Sequence, residues 1–466
     1  MPSMQVLAAG LRPQLADGRM KPRIATARVA TARGSDQPQS EGLTTARLSH
    51  VPLPAAALLI TMLAPRELEF SVGIALTPQR LVLLALMPIA FARLLTSRSV
   101  TLRAFDVCII TAFAYYWFSL FFKETADRAF QSGSSQFLEA VGGYVIARVY
   151  IRSNAQFIAT VKLLCALVLI AGAAAAIESL FHVHWIKNIA SAMTGAIPTQ
   201  VTDLRLGLMR AAATFDHPIH YGTFCASVFA LAWFLEPKVS VRLMRAAFLG
   251  LATLFSLTSA ALLGILLFFA GAVWEWTTRG VFKRAWITLV IGSFLYVLID
   301  LVASRSPVVI LSTTFVFDAD NAYYRLAIWE YGSANVAAHP WIGVSLSNWA
   351  RPDWMYSATV DHYWLATAIS GGLPAAVFYL AGIAILLHAV HHRPHVEQDR
   401  CRYAWTAALL VLLFISVTVH FWREIEVYFT FILGMGAWLA DQANNSQKLE
   451  ILRPAGSAPV GRCMRP

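Results

Sequence analysis

From Ala246 to Trp274 the chain runs 29 residues without an Asp, Glu, Lys or Arg, and further runs of the same kind lie on both sides. A backbone that enters hydrocarbon must satisfy every N–H and C=O within itself, so uncharged stretches of this length specify α-helix in a bilayer. About 20 residues are enough for one crossing. The rest of the composition agrees. Apolar residues make up 58% of the 466 and charged residues 14%, against roughly 25% charged in ordinary globular domains. A soluble domain could not cover its surface with so few charges, and a disordered chain would not hold so much apolar material. The fold class expected is all-α, a polytopic integral membrane protein.

Twelve candidate spans follow: about 48–65, 77–95, 104–122, 130–148, 155–177, 218–235, 242–257, 260–277, 285–303, 362–388, 403–420 and 425–441. Thr77-Pro78 reads as an N-cap with a first-turn proline. The run at 246–274 is long for one helix and tight for two, and the basic residues decide. With the N-terminus in the cytoplasm, fourteen Lys and Arg fall in short cytoplasmic connections, among them Arg93, Arg103, Arg148, Lys238, Arg284 and Arg402. That follows the positive-inside rule only if 242–277 is a hairpin turning near Thr258-Ser259-Ala260. About twelve spans then leave two long periplasmic loops, 178–217 and 304–361. Long loops in compact proteins are usually functional.

Outside the membrane domain, 48–441, residues 1–47 read as a disordered basic cytoplasmic tail and 442–466 as a second cytoplasmic tail. The net charge of +11 is assigned to helix flanks meeting anionic lipid, not to nucleic acid. The five cysteines show no zinc or disulfide spacing.

Three constellations in the long loops carry polar chemistry. The first is Arg205-Leu-Gly-Leu-Met-Arg210, followed by Thr214-Phe-Asp216-His217-Pro218-Ile-His220, where arginine forks could hold an anionic headgroup or merely anchor a helix at the interface. The second joins Arg325-Leu-Ala-Ile-Trp329 to His339-Pro-Trp-Ile-Gly343-Val and Asn348. Its aromatics suit either an interfacial belt or sugar stacking. The third is Asp361-His362-Tyr-Trp364-Leu365, opening a helix that contains Gly371-Gly-Leu-Pro374. A histidine there could move a proton, donate to an oxyanion, or simply sit satisfied at the interface.

In this order the motifs resemble the O-antigen ligase and Wzy-type polymerase superfamily: Arg-x-x-x-Thr-Phe-x-His-Pro, Arg-x-x-x-Trp, His-Pro-x-x-Gly-Val, then His-x-x-Leu leading to Gly. The helix layout of 48–440 is similar too. One departure is the turn Ser259-Ala260-Ala261, where many relatives carry Ser-Arg-Gly.

The resemblance implies an inverting, metal-independent glycosyltransferase of the bacterial inner membrane, with its site facing the periplasm and no cofactor. Its substrate would be an undecaprenyl-pyrophosphate-linked glycan, its surroundings the lipid bilayer, and a chain-length regulator a further partner. Catalytic residues would be His362, Arg325 and Arg210. Arg205, His217, His220, Asn348 and Trp364 would bind substrate. Polymerisation of lipid-linked repeats is the expected activity. Ligation to lipid A-core, protein O-oligosaccharyl transfer and, from another class, a lipid-linked oligosaccharide flippase are the alternatives. Asp318-Ala-Asp320 mimics a metal-binding Asp-x-Asp and stands as the competing, metal-dependent reading.

Overall fold

The computed structural model describes residues 51–71, 75–97, 100–198, 202–278, 280–281, 284–302, 319–355, 357–392 and 399–451. Both predicted tails up to residue 47 and beyond 451 lie outside them, as does Asp318. Helix dominates: α1 Leu53–Thr61, α2 Pro78–Thr96, α3 Ala104–Leu120, α4 Ala126–Tyr150, α5 Asn154–Phe181, α6 Trp185–Thr194, α7 Pro218–Leu235, α8 Val239–Leu254, α9 Ser259–Thr277, α10 Arg284–Val302, α11 Ala319–Ala338, α12 Tyr363–His392, α13 Asp399–Ser416 and α14 Glu424–Ile451. Five of these, α2, α5, α7, α9 and α12, are long and apolar enough to cross a membrane. The protein is an all-α, membrane-embedded chain.

Local chemistry explains most boundaries. Thr77 caps α2 by accepting from Arg80 N at 3.2 Å, with Pro78 in the first turn. The uncharged run at 246–274 is two helices, broken at Phe255–Thr258, where Leu257 takes a positive φ of 47°. The first predicted span needs correction. It holds only the nine residues of α1, a rise of about 13 Å, less than half the hydrocarbon thickness. Pro52 caps it, Pro54 stands in its first turn and Pro65 follows its end, and a short 3₁₀ turn and a two-stranded ribbon (β1 Phe70–Ser71, β2 Ala75–Leu76) come next. A second ribbon, β3 Leu204–Arg205 with β4 Leu208–Met209, turns through Leu206 and Gly207, both at positive φ, as a two-residue hairpin requires.

α4 packs against α2, α3 and α14, α3 runs along α12, and α7 lies among α5, α8, α9 and α13. One end of this bundle is locked by buried charge. Arg148 is fully buried, yet all three of its nitrogens are bonded: Nε to Asp106 (3.0 Å), Nη1 to Asp441 (2.6 Å) and Nη2 to Thr101 O (3.1 Å). This ties α3, α4 and α14 together where they enter the predicted cytoplasmic side.

At the opposite end α12 is broken. Gly372 has φ 75° and ψ 169° inside the helix, and the 340–344 loop docks into the break. Val344 N donates to Ile369 O (2.7 Å) and Leu373 N donates to Pro340 O (2.7 Å). Lys123 reinforces the junction by donating to Ile342 O (2.8 Å) and to Ser370 O. The backbones touch so closely that a Cβ on Gly343 would lie 2.1 Å from Ile369 O, and one on Gly372 1.9 Å from Trp341 O. The two glycine motifs therefore exist for each other. Gly372→Ala and Gly343→Ala should each cost on the order of 2–3 kcal/mol, read as a lower unfolding temperature in detergent. Wild-type stability in both variants would mean the docking does not hold the loop.

Candidate functional site

The end of the bundle opposite Arg148 collects the polar loops and the N-termini of α7, α12 and α14. These three helix starts meet. Asp216 N donates to Glu424 Oε1 (3.2 Å), and Tyr363 packs its ring on Phe421 with centroids 5.2 Å apart. Helix N-termini carry partial positive charge and favour anions.

The arginine loop is shaped by a residue the motif reading missed. Glu178, buried in the last turn of α5, accepts from Ala212 N (3.2 Å) and Ala213 N (2.7 Å) and pairs with His184. Those bonds hold Ala213 at a strained φ of 51° and fix where Arg210, Thr214 and His217 stand. Arg210 is buried and donates from Nη1 to the exposed Asp203 (3.1 Å), while its Nε has no hydrogen-bond partner. Burial and the charges of Arg205 and Arg325 push it down to about 10, so it remains a cation in surroundings that disfavour one.

Arg325 and Trp329 sit one turn apart on α11 and hold the adjacent pair Asp361 and His362. Arg325 Nε pairs with Asp361 Oδ2 at 3.7 Å, too far for a hydrogen bond, and makes no hydrogen bond to the described residues; Trp329 packs tilted on His362 with centroids 4.7 Å apart. The charge of Arg325 is also felt weakly at Arg210 and His217. Asp361 faces Arg325, and no bond from it fixes the His362 tautomer.

Two histidines cap helices in the same way. His217 Nδ1 accepts from Ile219 N (3.1 Å) and His362 Nδ1 from Leu365 N (3.3 Å). Burial drives both down, to about 3 for His217, helped by neighbouring cations, and to about 4 for His362. At neutral pH each is uncharged, and because Nδ1 accepts, the proton sits on Nε2. Neither can take a proton there. Both can donate one hydrogen bond.

The other predicted residues divide. Arg205 donates to Leu257 O (2.7 Å), bracing the α8–α9 turn. His220 is buried, with Nε2 3.2 Å from His420 O and Nδ1 3.4 Å from Glu424. Trp364 donates to Ser416 Oγ (2.8 Å) and packs among Tyr363, Tyr379 and Phe429 in the bundle. Asn348 lies exposed on the loop after α11. Arg423 was not anticipated. At a positive φ of 52°, it bonds Glu69 (2.8 Å) and approaches Asp216 (3.5 Å). Its only sequence signal is a lone arginine at the start of the last span. Among the described residues no group of His, Cys, Asp and Glu is arranged to hold a metal ion.

Neither a scan of protein-family models nor a search of curated proteins finds a match to this chain.

The histidine caps make a pH prediction. Each has a folded pKa below its unfolded value of about 6.5, so the unfolded chain binds the proton first as pH falls. The stabilisation is complete above about pH 6.5 and is lost toward pH 4. His217→Asn keeps a capping acceptor that does not titrate. Its unfolding temperature should therefore fall less than wild type's between pH 6.5 and 4.5. Parallel curves would show that the His217 ring titrates as it does in water.

Proposed function

We propose that the chain is an inner-membrane glycosyltransferase that moves a glycan from a polyprenyl pyrophosphate to an acceptor hydroxyl at the periplasmic face, extending lipid-linked repeats. The observation that carries this reading is the pair Arg210 and Arg325, whose buried Nε atoms make no hydrogen bond to the described residues. Arg242 and Arg402 also have unbonded Nε atoms. What sets Arg210 and Arg325 apart is their setting: Arg210 stands on the loop that leads to the His217 cap of α7, and Arg325 faces Asp361, next to the His362 cap of α12. A pyrophosphate would complete this donor set, and the motif resemblance supports the same chemistry.

In the proposed reaction the acceptor oxygen attacks the anomeric carbon and the carbon–oxygen bond to phosphate breaks. The electron pair passes to the pyrophosphate, whose growing charge Arg210 and Arg325 stabilise in a low-dielectric setting. His362 and His217 donate from Nε2 to phosphate oxygens. The acceptor's proton passes to a carboxylate, for which Asp361 is suited, its side chain 42% exposed beside Arg325. Arg205 brings a guanidinium to the α8–α9 turn, where this chain has Ala260 in place of the arginine of many relatives. In this proposal the 178–217 and 304–361 loops lie at the periplasmic face.

Three tests follow from this proposal. A reporter fused after Pro352 should be periplasmic and one after His392 cytoplasmic, and a cysteine at Ser259 should label from outside; the reverse pattern would invert the site. Arg325→Lys keeps the charge but loses the planar fork, so long-chain glycan on gels should drop by roughly 100-fold at matched protein level. Full output would reduce Arg325 to an anchor. His362→Asn preserves a helix cap and removes the Nε2–H, so output should fall with folding unchanged. Undiminished polymer would leave His362 a cap and nothing more.

A further inference from the structure

The outer part of α4 reads Gln131-Ser-Gly-Ser-Ser-Gln136, six polar or small residues inside a predicted span. They lie roughly 8–15 Å along the helix from Ala126. Such a run is costly against lipid and is retained where it faces protein or a cavity. Here it faces a cavity. Gln131, Ser132, Ser135, Gln136 and Glu139 fall on one helix face (i, i+1, i+4, i+5, i+8) and wall a cleft of about 330 Å³, within the size range of small-molecule sites. Arg80 of α2 closes one side, and Trp422 with Arg423 closes another.

The character of the wall selects the ligand. Its cations are already matched, Arg80 by Glu139 (2.7 Å) and Arg423 by Glu69 (2.8 Å), so the cleft offers little to a second phosphate. Gln136 is held by Glu426 (2.8 Å), which fixes its amide. The side chains of Ser132, Ser135 and Gln131 line the cleft and make no hydrogen bond to the described residues, so their hydroxyl and amide groups can meet a neutral polar ligand. Trp422 adds an aromatic face, whose negative π surface attracts the polarised C–H bonds of a pyranose. The same Trp422 lies against His220 with centroids 3.8 Å apart and edges toward His217 at 6.3 Å, and Arg423 reaches Asp216. The cleft therefore borders the arginine and histidine site.

We infer that this cleft is a saccharide subsite, in which Trp422 stacks on a sugar ring and the α4 face with the Arg80–Glu139 pair binds its hydroxyls. That the sugar belongs to a lipid-linked glycan rests on the proposed function; the cleft's preference for a neutral saccharide does not.

The test separates the two. Purified full-length protein is applied to an array of neutral and acidic oligosaccharides, and is titrated separately with bare undecaprenyl pyrophosphate by native mass spectrometry. Wild type should bind a subset of the array. Ser135→Leu, which fills the cleft with a side chain any membrane helix accepts, should lower that binding at least about tenfold, the loss of one or two hydrogen bonds and of ring contact. Binding of the bare lipid pyrophosphate, and the unfolding temperature, should not change. Ser132→Leu should behave alike. An array on which wild type binds nothing, or on which Ser135→Leu binds as wild type does, overturns the subsite. Loss of lipid pyrophosphate binding by wild type would instead overturn the anion site and leave the subsite standing.

Discussion

Taking a guanidinium out of water costs several kcal/mol unless its donors are met, and the two ends of this bundle answer that cost in opposite ways. Arg148, fully buried, spends every nitrogen on Asp106, Asp441 and a backbone carbonyl. Removing any partner would leave a charge stranded among helices, so the network joins α3, α4 and α14 into one unit. At the other end Arg210 and Arg325 are sheltered too, yet each keeps an unbonded donor. Arg210 meets one carboxylate, Asp203, and Arg325 one, Asp361, against the two that close on Arg148. On the proposed function, that difference separates a structural charge from one that meets an anion.

The architecture that holds those arginines depends on backbone contact more than on side chains. Arg325 rides on α11, whose following loop is fastened into the break of α12 by reciprocal hydrogen bonds around Gly343 and Gly372. Asp361 and His362 sit at the start of that same helix. One junction therefore sets the distance between Arg325, Asp361 and His362. It explains why a His-Pro-x-x-Gly motif and a Gly-Gly-x-Pro motif occur in one chain: each glycine clears the space that the other's strand of backbone occupies. Glu178 does the equivalent for Arg210, gripping two successive amides from beneath.

Much of this was legible in the sequence because it is local. Apolar runs mark α2, α7 and α9 nearly to the residue, and Thr77-Pro78 marks a helix start. The break between α8 and α9 followed from where basic residues fall. The site arginines and histidines were visible as motifs for the same reason. What could not be read is what depends on distant partners. Nothing around Glu178, Lys123 or Arg423 announces a partner 35, 219 or 354 residues away. The apolar stretch at 48–65 looks like a span because hydropathy does not register that its prolines leave only nine residues of helix. The Gln131–Gln136 run was hidden inside an apolar average, since a window long enough to find a span is too long to notice one polar face within it.

The caps change how the chemistry of the site must be read. From the sequence alone His362 is equally a base, a donor or a scaffold. Its Nδ1 accepts the Leu365 amide, so the one proton of the neutral ring is on Nε2, and burial keeps the ring neutral. An imidazole in that state can stabilise charge but cannot generate a nucleophile. His217 repeats the arrangement at α7. For glycan transfer from a pyrophosphate this is the more useful state. The leaving group is already a weak base that departs once its charge is met, and a sugar hydroxyl attacking an oxocarbenium-like centre loses its proton late. In the proposed reaction, catalytic effort then belongs on the leaving oxygens, the role that proposal gives Arg210, Arg325, His217 and His362. Proton removal is then left to a carboxylate, and the proposed one is the partly exposed Asp361, 3.7 Å from Arg325.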